Sequence, residues 1–283
     1  MSTKLAVLLT IAALSLPGNA AVAAPSVDRG DYLVNSIMGC GNCHTPVGPN
    51  GPEMDKVLAG GMVVDDSAAM KAISANITPG GEIAGWTDAQ LAKAIREGIR
   101  PDGSLIGPPM PFEVYKGISD DDLASVVMYL RTIPAVENRT EKSVYHIPLP
   151  PAYGPAIESV AAVPEGVTAE YGAYLAGPLG HCIVCHTPFD AQGRPQFETL
   201  LGAGGNAFPG PWGTSVAANL TPTGLGGYSD DQLKAIITKG VRPDGSHLFP
   251  PMGVAYYANL SNNDLDAIVL YLRGLPAKDM PKQ

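Results

Sequence analysis

The stretch "CGNCHTP", Cys40 to Pro46, returns as "CIVCHTP", Cys182 to Pro188. Each copy offers two thiols two residues apart, then a histidine, then Thr-Pro. Such a set serves a zinc site, a thiol–disulfide exchange centre or the covalent attachment of a haem. The 283-residue chain has 4 cysteines, and the two motifs use all of them. A structural zinc ordinarily takes four protein ligands, and neither unit supplies a second C-x-x-C or an H-x-x-x-H. Thiol exchange requires neither a histidine directly after the second cysteine nor a matched second copy. Disulfides closed within each motif would constrain almost nothing. Haem attachment accounts for the whole motif: the spacer brings both sulfurs to the two vinyl groups on one haem edge, and the next residue sits under the iron.

The motifs recur because a larger unit does. A shift of 142 positions lays Cys40, Cys43, His44, Thr45 and Pro46 on Cys182, Cys185, His186, Thr187 and Pro188. Leu58 and Gly60 fall on Leu200 and Gly202, "GIRPDGS" at Gly98 on "GVRPDGS" at Gly240, and "YLRTIP" at Tyr129 on "YLRGLP" at Tyr271. "NITP" at Asn76 matches "NLTP" at Asn219 after a one-residue slip, recovered by Asp88 and Asp230. The period is far longer than that of a solenoid, so it reads as a tandem domain duplication.

Each unit carries signals for about three helices. "GDYLVNSIMG" and "YGAYLAGPLG" precede the motifs. Thr87 with Gln90, and Ser229 with Gln232, form capping boxes, and Gly98 and Gly240 stop those helices. A third helix starts after Ser119 or Ser261, with apolar stripes Leu123, Val126, Val127, Leu130 and Leu265, Ile268, Val269, Leu272. A bound prosthetic group would supply apolar mass that cores this small lack. Residues 134–165, with "IPLPPAYGP", show no helical period and read as a proline-stiffened linker packed along a surface. The expected units are 25–133 and 166–283. Residues 1–24 read as a secretory signal cut near Ala23 or Ala24, with an apolar run from Leu5 to Leu16. That run is short for a membrane span, and an uncleaved anchor is the alternative. The expected location is the periplasm, with no membrane span in the mature chain and peripheral association left open. A net charge of −9 argues against nucleic acid as a partner.

Of the 9 methionines only Met110, in "PPMPF", and Met252, in "PPMGV", coincide under the repeat. Each lies 66 residues beyond its histidine. The expected axial ligands of the two irons are therefore His44 with Met110 and His186 with Met252. Prolines before each sulfur restrict the loop that presents it. The carbonyls of Pro46 and Pro188 are candidate acceptors for the histidines' second ring N–H. Asn76, Thr78 and Arg100, with Asn219, Thr221 and Arg242, are candidate propionate contacts, an assignment balanced by loop and helix-end stabilisation. His181 and His247 have no counterpart and read as surface or haem-edge residues; His146 falls in the linker.

With these residues in view, each half resembles a class I cytochrome c domain, CxxCH near its start and methionine before its last helix. "NITP", "GIRPDGS…PPMPF" and "LSNNDLDAIVLYLRGLP" are similar to cytochrome c subunits of bacterial periplasmic dehydrogenases. The resemblance implies an all-α architecture: two small helical domains, each around one covalent haem. It also implies electron transfer, taking electrons from a dehydrogenase to a terminal oxidase or another carrier, and not catalysis. Such subunits commonly carry three haems and a C-terminal membrane segment; this sequence has two motifs and no such segment. The competing function is a dihaem redox enzyme, peroxidase-like or thiosulfate dehydrogenase-like, with ligand exchange at one haem.

Overall fold

Hydroxyl caps set where the helices of this chain begin. In the computed structural model, which describes residues 24–281, Ser26 accepts from the Arg29 amide and starts α1 (Val27–Asn35). The first attachment motif forms α2 (Gly41–His44), followed by α3 (Asp88–Glu97), α4 (Phe112–Tyr115) and α5 (Asp120–Thr132). The second series starts with α6 (Ala169–Tyr174), which runs into a wide π turn over Leu175–Leu179, and α7 (Cys182–Cys185). It continues through α8 (Phe197–Leu200), α9 (Pro222–Leu225), α10 (Asp230–Lys239), α11 (Val254–Tyr257) and α12 (Asn262–Gly274). Both expected capping boxes are closed, each contributing about 1 kcal/mol. Gly98 and Gly240 end α3 and α10 at φ 68° and 66°, a left-handed turn that glycine adopts without strain.

The helices are those expected of small helical domains, but the chain is not all-α. Among the described residues seven short strands form three antiparallel sheets: β1 (Val47–Gly48) with β2 (Gly51–Pro52); β3 (Val63–Asp66), β4 (Met70–Ile73) and β5 (Val144–Tyr145) in that order; and β6 (Ala207–Gly210) with β7 (Gly213–Val216). They occupy segments rich in Gly, Pro and Val where no helical period exists, and most lie between an attachment motif and the next capped helix. Residues 134–165 lie along the first half. There β5 pairs with β4, the Tyr145 hydroxyl donates to the Pro108 carbonyl at 3.1 Å, and Tyr153 stacks on Phe112 at 4.8 Å. The apolar run Leu5–Leu16 of the expected signal lies outside the described residues. Among the described residues no helix is long and apolar enough to cross a membrane.

The two predicted stripes are buried: Leu123, Val126, Val127 and Leu130 in α5, and Leu265, Ile268, Val269 and Leu272 in α12. α1 crosses α5 at Gly30, where a Cβ would sit 2.0 Å from the Ser125 carbonyl oxygen; α6 crosses α12 at Gly172, with the Ala267 oxygen at 1.9 Å. Arg131 and Arg273 then tie the last helices back to the turns before α3 and α10. Arg131 donates to the carbonyls of Ile83 and Trp86 and pairs with Asp88; Arg273 donates to Leu225 and Tyr228 and pairs with Asp230.

The halves share one apolar cluster, and their contacts are reciprocal. Tyr174 donates to Asp122 and accepts from the Ser119 amide; Tyr32 donates to Asp264 and accepts from the Ser261 amide. Arg29 reaches the hydroxyl of Tyr171, its own counterpart, at 3.4 Å. Contacts between counterparts place an approximate two-fold axis between the halves.

Candidate haem sites

Each attachment motif forms a single helical turn after a left-handed residue, Gly39 at φ 54° and His181 at φ 43°. That turn carries both thiols and the histidine. The four thiols are unpaired. Burial, reinforced by the neighbouring cysteine, pushes Cys40 and Cys182 up to about 12; burial and then Cys43 push Cys185 up to about 11. Burial raises Cys43 too. These are neutral thiols, unlike the low-pKa thiolates of exchange enzymes. Among the described residues no group of three His, Cys, Asp or Glu side chains converges as a metal site would require.

The histidines are held from behind. His44 Nδ1 lies 2.8 Å from the Ala75 carbonyl oxygen, and His186 Nδ1 lies 2.7 Å from that of Ala218. A carbonyl can only accept, so the proton sits on Nδ1 and leaves the Nε2 lone pair free for a metal. Burial holds both imidazoles below their ordinary pKa, the neutral form that a ligand requires. This corrects the expected acceptors. The Pro46 carbonyl instead takes the Glu53 amide and that of Pro188 takes the Gln196 amide. The true acceptors lie 31 and 32 residues downstream of the histidines, brought back by tight glycine turns. Gly60 donates to the His44 carbonyl at φ 69°, and Gly204 to the His186 carbonyl at φ 75°. Each presses on the acceptor residue so closely that a Cβ would meet Ala75 backbone at 2.3 Å or Ala218 backbone at 2.6 Å.

A cavity of about 730 Å³ is lined by Cys182, Cys185, His186 and Met252, together with Leu233, Ile268 and other apolar side chains. Its size suits a large prosthetic group. Thiols, a free imidazole nitrogen and a soft thioether sulfur around one largely apolar cavity fit a covalent haem. Met110 packs against the core in the first half as Met252 does in the second. The Pro-Pro bonds before both methionines are cis.

The six candidate propionate residues divide. Asn76 spends both amide hydrogens on the Val136 and Asn138 carbonyls, and its oxygen takes the Thr78 amide and hydroxyl. Asn219 and Thr221 tie to each other and to the Lys278 carbonyl. All four are buried, and they fasten the chain that follows each last helix. Arg100 and Arg242 donate to the Leu105 and His247 carbonyls across short turns, and Arg242 and Asn219 reach the cavity wall. His247 also lines the cavity; His146 is exposed. His181 is more deeply engaged than a surface residue, because its ring meets Tyr115 of the first half edge-on at 6.0 Å. Sequence reasoning passed over the Tyr32–Asp264 and Tyr174–Asp122 pairs, although all four positions coincide under the repeat.

Among known proteins, the chain is 30% identical over 254 residues to a diheme cytochrome c-type of Cereibacter sphaeroides, covering 84% of this chain and 82% of that protein. The chain belongs to the dihaem c-type cytochromes. This cytochrome accordingly carries two covalent c-type haems. It is 32% identical over 278 residues to the fructose dehydrogenase cytochrome subunit of Gluconobacter japonicus. It is 31% identical over 276 residues to the cytochrome c subunit of the quinone alcohol dehydrogenase of Gluconobacter oxydans. Those alignments cover 93% and 89% of the cytochrome, which spans about half of either relative, 55% in both cases. No family model matches the chain.

Proposed function

We propose that this cytochrome is a periplasmic electron relay of two tandem class I cytochrome c domains, residues 25–133 and 166–283 joined by 134–165. It takes electrons from a dehydrogenase and delivers them to a terminal oxidase or another carrier. The carrying observation is that Met252 lines the same cavity as Cys182, Cys185 and His186, and that Met110 stands at the matching place beyond His44. In this reading Cys40, Cys43, Cys182 and Cys185 form the thioethers, and His44 with Met110 and His186 with Met252 bind the irons. The bound haems supply one-electron chemistry. With a histidine and a methionine for each iron, no site would be easily vacated, which would favour electron transfer over peroxide or substrate binding; a thioether, a weaker donor than a second imidazole, would set a comparatively high potential. Arg100 and Arg242, at the ends of matching turns, are the better propionate partners of the six candidates. Names of relatives that are dehydrogenase cytochrome subunits support the choice of donor.

The test is stopped-flow reduction of the two-haem protein by a sugar or alcohol dehydrogenase of the periplasm. Reduction within the turnover time of the dehydrogenase supports the relay. Rapid peroxide turnover, or oxidation of thiosulfate by the protein alone, would replace it with an enzyme. A net charge of −9 predicts a partner with a basic docking patch, so added salt should slow reduction.

A further inference from the structure

The two spacers between the paired cysteines differ: Gly41-Asn42 in the first motif and Ile183-Val184 in the second. The structure gives the first spacer a partner across the two-fold axis. The Asn42 side-chain amide donates to the carbonyl of Pro251 at 3.1 Å, and Pro251 immediately precedes Met252. One residue beyond the methionine, a Cβ on Gly253 would lie 3.8 Å from Asn42 Cγ. Further on, the Tyr256 side chain covers the first motif. It lies 3.4 Å from a Cβ built on Gly39, and its hydroxyl 2.2 Å from one built on Gly41. The segment Pro251–Tyr256 thus rests on the first attachment turn at Gly39, Gly41 and Asn42. At the matching place in the second motif, Val184 carries no donor, so the polar link runs one way.

We propose that the first attachment motif, through Asn42 and the side-chain-free surface at Gly41, positions the loop that presents Met252 to the second iron. Asn42 is then a positioning residue for a haem to which its own motif is not attached. The peptide that it grips is the one leading into the methionine, so a change of its angle moves the sulfur. Gly41 acts by what it omits, since a Cβ there would push the Tyr256 ring out of its place over the motif. The inference rests on Met252 being the second iron's ligand.

The experiment uses the full two-haem protein with Asn42→Val, which installs the residue of the second motif's matching position, and with Gly41→Ala. The readouts are the sulfur–iron absorption band, the two midpoint potentials, and haem-methyl NMR resonances that separate the haems. Asn42→Val should shift the second haem's potential and methyl resonances and weaken its sulfur–iron band. Gly41→Ala should do the same more strongly, and Tyr256→Phe in the same chain should partly restore it. Changes confined to the first haem, or none at either, overturn the proposal. Met252→Ala is the separate check on the ligand: loss of the second haem's sulfur–iron band with an inert Asn42→Val refutes the coupling alone. A band unchanged in Met252→Ala refutes the ligand assignment beneath it.

Discussion

Gly60→Ala tests how the first histidine is held. Gly60 stands at φ 69° and Gly103 at φ 82°, so alanine at either carries a similar left-handed penalty of about 1 kcal/mol. The sites differ in what surrounds them. A Cβ at Gly103 meets nothing within 4 Å, whereas one at Gly60 lands 2.3 Å from the Ala75 carbonyl carbon and 2.4 Å from its oxygen. Ordinary carbon–oxygen contact is about 1 Å longer, and the obstacle is backbone, so no rotamer change relieves the overlap. Forced overpacking of this kind costs about 3 kcal/mol, giving about 4 kcal/mol for Gly60→Ala against about 1 kcal/mol for Gly103→Ala. For a chain of this size the difference amounts to about 6–12 °C in Tm. Because the displaced carbonyl is the one that orients His44, Gly60→Ala should also alter the first haem's potential, and Gly103→Ala should not. Denaturant unfolding and potentiometric titration of the two variants decide it. Stabilities within 0.5 kcal/mol of each other, or equal potentials, would refute the close approach as the reason for glycine.

Tyr174→Phe should leave the buried Ser119 amide without a partner and remove one bond to Asp122. The expected loss is about 2 kcal/mol, a fall of about 4–8 °C in thermal unfolding. Burial holds His181 down at about 4, whereas the unfolded chain protonates at its ordinary value of 6.5. Its contribution is therefore complete above about pH 6.5 and is lost as pH falls towards 4, on the order of 3 kcal/mol across that window. His181→Gly, tolerated by a φ of 43° that Gly39 matches at 54°, should flatten the acid limb of a pH–stability curve. In stopped-flow mixing, a tenfold rise in ionic strength should slow reduction by a dehydrogenase partner severalfold, while a flat response would count against electrostatic docking.

Much of this molecule was legible in the sequence because the repeat compares the chain with itself. Caps at Thr87 and Ser229, stops at Gly98 and Gly240, and the stripes of α5 and α12 depend on local chemistry, and they stand where the residue pattern puts them. The hairpins escaped because two-residue pairings such as β1 with β2 leave no alternating pattern to read. The acceptors for His44 and His186 escaped for a different reason. They are backbone carbonyls of alanines, and no residue type announces which carbonyl a turn will bring home. Asn76 and Thr78 were attractive as propionate contacts because they are polar and repeated. They are buried among their own hydrogen bonds, which fits the loop-stabilising role that the sequence left equally open. The axis between the halves could have been suspected from Tyr32, Tyr174, Asp122 and Asp264, since matched tyrosines and acids outside the motifs need a partner of their own.

The most direct test of the account is the sulfur–iron band of the oxidised two-haem protein, measured with haem content in the parent, Met110→Ala and Met252→Ala. The account predicts two haems per chain throughout, a full band in the parent, about half its intensity in either variant, and none when both methionines are replaced. A parent without the band, or a variant that keeps it whole, would contradict the ligation on which the electron relay rests.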